Sequence, residues 1–208
     1  MDWDSVLPII IGLMAVIGLP LAIRSRKKGG PEKAEELYQH LLGIGVKASK
    51  LDKDDGKEKS QKKQPLGHKS VGVIKLRDRN IDSIDVIGVA GQYGVRYYLD
   101  FRVMSSSLTG REDKNRKTRM VRKKSSSFGG KTTDIEWKGD DFLARKLNLD
   151  YQLKDKLMQA DLNVLKGGIE IFPEPKHGYT RLRTNHFLPT PGLFEAVNII
   201  AKHVKSSQ

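Results

Sequence analysis

The alternation of apolar and polar residues changes character several times along this chain. Ser5 to Ile23 is a run of 19 residues without a charge. At about 1.5 Å per helical residue it approaches the ~30 Å hydrocarbon thickness of a bilayer, and a helix there satisfies its own backbone. The run predicts a single N-terminal transmembrane helix, with Pro8 in its first turn and Pro20 near its other end. Gly29-Gly30-Pro31 is expected to break it. Pro31 to Leu42 then predicts a short helix, with Glu32, Glu35 and Glu36 toward its start and Gly43 or Gly45 as its stop. Ala34, Leu37, Tyr38, Leu41 and Leu42 share one face of it and should dock on the domain that follows. Leu51 to Lys69 is dominated by charge and supports no packed core, so it reads as a tether, with His68 solvated at its end.

From Val71 onward the runs become short. Val71 to Arg77 predicts a strand. Ile81 to Val89 fits either a strand or one face of a helix. Val95, Tyr97, Leu99, Phe101 and Val103 alternate with Arg96, Tyr98, Asp100 and Arg102, the mark of a half-buried antiparallel strand. Lys117 to Lys124 and Asp134 to Lys138 are further strand candidates. Gly139-Asp140-Asp141 supplies an N-cap for a helix with Phe142, Leu143 and Leu147 inward. Asp150 can cap a second helix carrying Leu153, Leu157 and Ala160. Gly168 to Phe172 and Tyr179 to Thr184 read as a hairpin around Pro173 to Gly178. The last helix follows Pro189 and Pro191, and its Leu193, Phe194, Val197, Ile200, Ala201 and Val204 should close the core.

Strands, then two helices, a hairpin and a helix define an α+β class: one N-terminal transmembrane helix, then a mostly antiparallel sheet with two or three packed helices. The expected organisation is a short extracytoplasmic N-terminus (1–4), the span (5–23), a basic juxtamembrane segment with a short helix and charged linker (24–69), and a cytoplasmic α+β domain (70–208). The chain has no cysteine, which excludes disulfide scaffolds, thiolate metal sites and cysteine nucleophiles.

Charge sharpens this picture through its location. The formal net charge is +13. Arg24 to Lys69 holds 13 Lys/Arg against 7 Asp/Glu, and Arg111 to Lys131 holds 9 against 2, so the rest of the chain is neutral. Asp2 and Asp4 precede the span and Arg24, Arg26, Lys27 and Lys28 follow it. The positive-inside rule therefore sets the N-terminus outside and the domain in the cytoplasm. A cleaved signal peptide is disfavoured, because the segment before the run lacks Lys and Arg and no small-residue cleavage site follows it.

The motifs that suggest chemistry are weak. Gly88, Gly91 and Gly94 superficially resemble the Gly-x-x-Gly loop of KH RNA-binding modules, which implies a clamp on a nucleic-acid backbone. The tip Val89-Ala90 is apolar, however, and a strand pattern follows where such a loop leads into a helix, so a bend between two strands is the better reading. The spacing matches neither a dinucleotide fingerprint nor a P-loop. His40, His68, His177, His186 and His203 show no metal spacing, and no metal or cofactor is expected. His186 beside Arg181, Arg183 and Asn185 is a weak anion-site candidate. Asp140 and Asp141 read as caps before they read as an acid–base pair.

What remains is basic surface. Arg24, Arg26, Lys27, Lys28, Arg116, Lys117, Arg119, Arg122, Lys123 and Lys124 are the candidate contacts to an anionic surface. They lie near serine clusters at Ser105–Ser107 and Ser125–Ser127, a composition suited to phosphate contact. Phe128 is the only aromatic in the second basic segment, and single-strand nucleic-acid binding relies on several stacking rings, so nucleic acid is disfavoured. The expected protein is an integral membrane protein whose basic domain is an interaction module for a protein partner or anionic lipid headgroups. A membrane-tethered nucleic-acid-binding module and an enzyme without a recognisable motif are the alternatives.

Overall fold

The computed structural model describes residues 29–51, 67–104, 117–126, 130–165 and 167–206. The chain is helical over 29–43 (α1). There follow β1 (Ala48–Lys50), β2 (His68–Leu76), β3 (Ser83–Gly91), β4 (Gly94–Met104), β5 (Thr118–Lys124), β6 (Thr132–Lys138), α2 (Asp141–Leu149), α3 (Tyr151–Gln159), β7 (Glu170–Glu174), β8 (Tyr179–Asn185) and α4 (Pro191–Ser206). All eight strands form one antiparallel sheet in the order β1-β2-β3-β4-β8-β7-β5-β6. The α+β class and the antiparallel sheet are as the sequence predicts, with four helices among the described residues. The expected span at 5–23, its flanks 1–4 and 24–28, and most of the tether lie outside those residues. Among the described residues no helix is long and apolar enough to cross a membrane.

The pairing register draws continuous rows across the sheet. One row, Ile74–Ile84–Phe101–Leu182–Ile171–Thr118, is buried at every position. It belongs to the face on which the helices pack. There α4 lays down Leu193, Phe194, Val197, Ile200, Ala201 and Val204, all buried as its periodicity predicts. Helix α1 adds Leu37 and Leu41, each fully enclosed and each contributing about 1.5–3 kcal/mol relative to exposure. At its closest approach Ala34 lies over Gly72, where an added Cβ would stand 2.5 Å from the alanine methyl. Glycine at 72 is therefore what lets α1 reach the sheet.

Several expectations are corrected. Gly29-Gly30 does not break the chain, since both residues are helical. An added Cβ on Gly30 would meet Val71 at 2.8 Å, so this glycine serves close packing. The ambiguous run Ile81–Val89 resolves as strand from Ser83 onward, because Ile84 and Val86 face the core while Asp85 faces away between them. Strand β1 was not foreseen, and β2 begins at His68. That histidine is half-buried rather than solvated, and burial, with Arg183 and Arg181 nearby, lowers its pKa. Phe142 is 57% exposed instead of inward, because the buried stripe of α2 runs through Leu143, Ala144 and Leu147.

The caps hold as predicted. Asp140 accepts from Leu143 N and Asp150 from Leu153 N, each at 2.8 Å. Asp150 also binds His203 Nε2 at 2.6 Å, tying α4 to the corner between α2 and α3. At the outer strand β6, Asn148 on α2 pairs with one peptide unit. The Trp137 N–H donates to its side-chain oxygen at 2.8 Å, and its amide donates to the Trp137 carbonyl at 3.0 Å.

Candidate functional site

Among the described residues the helices leave the other face of the sheet uncovered, and that face carries charge where its reverse carries hydrocarbon. The row next to the buried one reads Asp85–Asp100–Arg183–Glu170–Arg119–Lys138. The row on its other side holds Ser83, Arg102, Arg181 and Phe172. Alternation along β4 and β8 explains the placement: Leu99, Phe101 and Val103 of β4 and Thr180, Leu182 and Thr184 of β8 are buried toward the core, so the intervening residues share the opposite face.

The groups interlock. Arg183 binds Asp100 through Nε–Oδ1 and Nη2–Oδ2, both 2.7 Å. Arg181 reaches Asp100 at 3.5 Å and Glu174 at 2.9 Å. Arg102 pairs with Asp85, which also accepts from Ser70 Oγ at 2.5 Å. Each arginine also lies over a ring: Arg102 over Tyr179, Arg181 over Phe172 and Arg183 over Tyr98, at 5.3, 4.7 and 5.4 Å. Such stacking suits the flat guanidinium. Asp85 is fully enclosed and Asp100 is 4% exposed. Burial lifts the Asp85 carboxyl to about 6 against the pull of Arg102 and Ser70. Burial also works against the Arg183 charge, but the Asp100 bond outweighs it and the pKa rises. Tyr179 is raised by burial.

The expected anionic-surface residues do not gather into one patch. Lys117 binds Glu170 at 2.7 Å and lies 4.7 Å from the centre of the Phe172 ring. Arg119 stands in the charged row between Glu170 and Lys138. Arg122 turns to the helix face, where its Nη1 donates to the Leu162 carbonyl at 2.8 Å. Lys123 is exposed on the uncovered face, within 3.4 Å of Glu136 and 3.6 Å of Asp134. Lys124 is exposed at the β5–β6 turn, where Ser125 N donates to the Lys131 carbonyl. Arg24, Arg26, Lys27, Lys28 and Arg116 lie outside the described residues.

The other candidates resolve into structural roles. Gly88 is buried within β3, and Gly91 pairs with Gly94 around the two-residue turn Gln92-Tyr93, so the glycine motif is a hairpin bend. His186 does not join Arg181 and Arg183, because it lies past the end of β8 with its ring 3.4 Å from the Lys33 carbonyl of α1. Burial lowers its pKa. His177 stacks on Tyr179. A cavity of about 500 Å³ beside β6 is lined by Trp137, Lys138, Asp141, Arg145, Asn148 and Leu149, a mixed set of charges without a focused field. Among the described residues no three His, Asp or Glu side chains converge as a metal site would require.

Alternation along single strands does not reveal this buried lattice. Asp100 and Arg102 stand in the polar half of an alternating strand, but the partners of Asp100 on β8 are about eighty positions away, and Arg102 pairs across to Asp85 on β3. Comparison of the chain with protein-family models, with curated proteins and with solved structures detects no match.

Proposed function

We propose that this protein is a single-pass, membrane-anchored interaction module without catalytic activity. Its N-terminus lies outside and its α+β domain in the cytoplasm, where it engages a protein partner or anionic lipid headgroups. One observation carries most of the weight. The N-terminal end of α1, which directly follows the apolar run and its Arg/Lys cluster, lies on Tyr97 and Val71. It is thus directed toward the same end of the sheet as the basic β5–β6 turn. A chain leaving a bilayer there presents Lys123, Lys124 and Lys131 toward the headgroups, where each basic residue is worth about 1 kcal/mol.

An enzyme would centre on Asp85, whose pKa of about 6 suits proton transfer. Its carboxylate is enclosed and already committed to Arg102 and Ser70, which supports the binding reading over catalysis.

Fractionation of the full chain tests the proposal. The protein should stay in the membrane pellet through alkaline carbonate, and deletion of residues 5–23 should release it. Release of the intact chain by carbonate alone would overturn the anchor. Released domain should sediment with phosphatidylserine vesicles less well as salt rises.

A further inference from the structure

The register locates the two hairpin turns that share the α1 end of the sheet. Measured from the buried row, Gly94 stands seven residues beyond Phe101, and Lys124 stands six beyond Thr118, in the same direction. Gly94 and Lys124, where the two turns begin, therefore project about equally far. At roughly 3.3 Å per residue each extends on the order of 20 Å beyond that row. They are fanned apart, because adjacent strands rotate by roughly 20–25°. The β7–β8 turn at Pro175–His177 leaves from the opposite end.

The two turns differ in chemistry. The β5–β6 turn is basic. The β3–β4 turn carries Tyr93, 90% exposed, in a two-residue position that turn geometry fills with small residues. Val95 and Arg96 beside it are exposed as well. A tyrosine in such a place has an apolar ring and a polar tip, the combination favoured at a membrane interface.

Resting on the membrane-anchored reading above, we propose that the domain stands end-on against an anionic phospholipid bilayer. Tyr93 enters the headgroup layer from one turn, and Lys123 and Lys124 contact lipid phosphates from the other. This arrangement holds the charged sheet face roughly upright to the membrane.

The absence of native cysteine permits the test on the full chain. Single variants Gln92→Cys and, at the opposite end, Lys176→Cys are labelled with an environment-sensitive fluorophore. The labelled chains are reconstituted into phosphatidylcholine vesicles with and without phosphatidylserine, carrying a headgroup spin label as quencher. The probe at 92 should be blue-shifted and quenched in the phosphatidylserine vesicles, and the probe at 176 should be neither. Adding Lys123→Gln and Lys124→Gln should lower the quenched population by on the order of tenfold. Adding Tyr93→Ser should abolish the blue shift. Equal quenching at 92 and 176, or none at 92 in a chain that resists carbonate, would overturn the end-on contact while leaving the anchor standing. A chain that carbonate extracts would overturn both.

Discussion

One sheet presents two surfaces built on opposite principles. On the helix face, Ile74, Ile84, Phe101, Leu182 and Ile171 line up as uninterrupted hydrocarbon. One residue further along the same strands, Asp85, Asp100, Arg183 and Glu170 form a line of ions. The hydrocarbon row is non-directional, so it stabilises any arrangement that buries it. The ionic row is directional and tolerates no slip, because a shift of one residue between β4 and β8 would turn one strand over and set Asp100 or Arg183 against the helices, parted from its partner. The first row supplies cohesion and the second adds register.

Three perturbations separate these roles, each read by denaturant unfolding of the full chain in detergent. Phe101→Ala empties the centre of the hydrocarbon row and should cost about 3–5 kcal/mol. Asp100→Leu strands Arg183 and should cost about 3 kcal/mol, whereas Asp100→Leu with Arg183→Leu should recover most of that loss. No recovery in the double variant would show that the ionic row contributes cohesion of its own. The third perturbation is proton uptake by Asp85. Its folded pKa of about 6 exceeds the ordinary 3.8. Its contribution to stability is therefore full below about pH 4 and is lost as pH rises through 6. Asp85→Asn should gain on the natural chain by up to about 3 kcal/mol between those values, above a constant offset from the Arg102 left behind. Stability curves that stay parallel across that window would contradict the enclosed carboxylate.

Local pattern made much of the fold legible. The alternation from Val95 to Val103 gave β4 its faces, Asp140 and Asp150 announced their helices, and Val197, Ile200, Ala201 and Val204 oriented α4. Phe142 misled because hydrophobicity was weighed without the sheet edge that decides which side of α2 is covered. The candidate site was legible only in halves. Arg181 and Arg183 are neighbours of His186 in sequence, and that adjacency is visible where their pairing with β4 is not. Asp85 sat inside a run whose period fits two elements, and its burial depends on Ser70 and Arg102, one on each flanking strand. Long-range register is the information a single sequence withholds.

The amide of Asn148 on Trp137 has a bearing on how copies of this chain meet one another. Folded copies that meet can lengthen one another's sheets wherever an outer strand offers free peptide groups. Asn148 occupies such a group on β6 with one donor and one acceptor of its own. The Ile135 N–H, two residues away, is taken by the Asp134 carboxylate. A neighbour arriving at that border finds the Trp137 N–H and carbonyl and the Ile135 N–H already engaged, which blunts this stretch of β6 against strand addition.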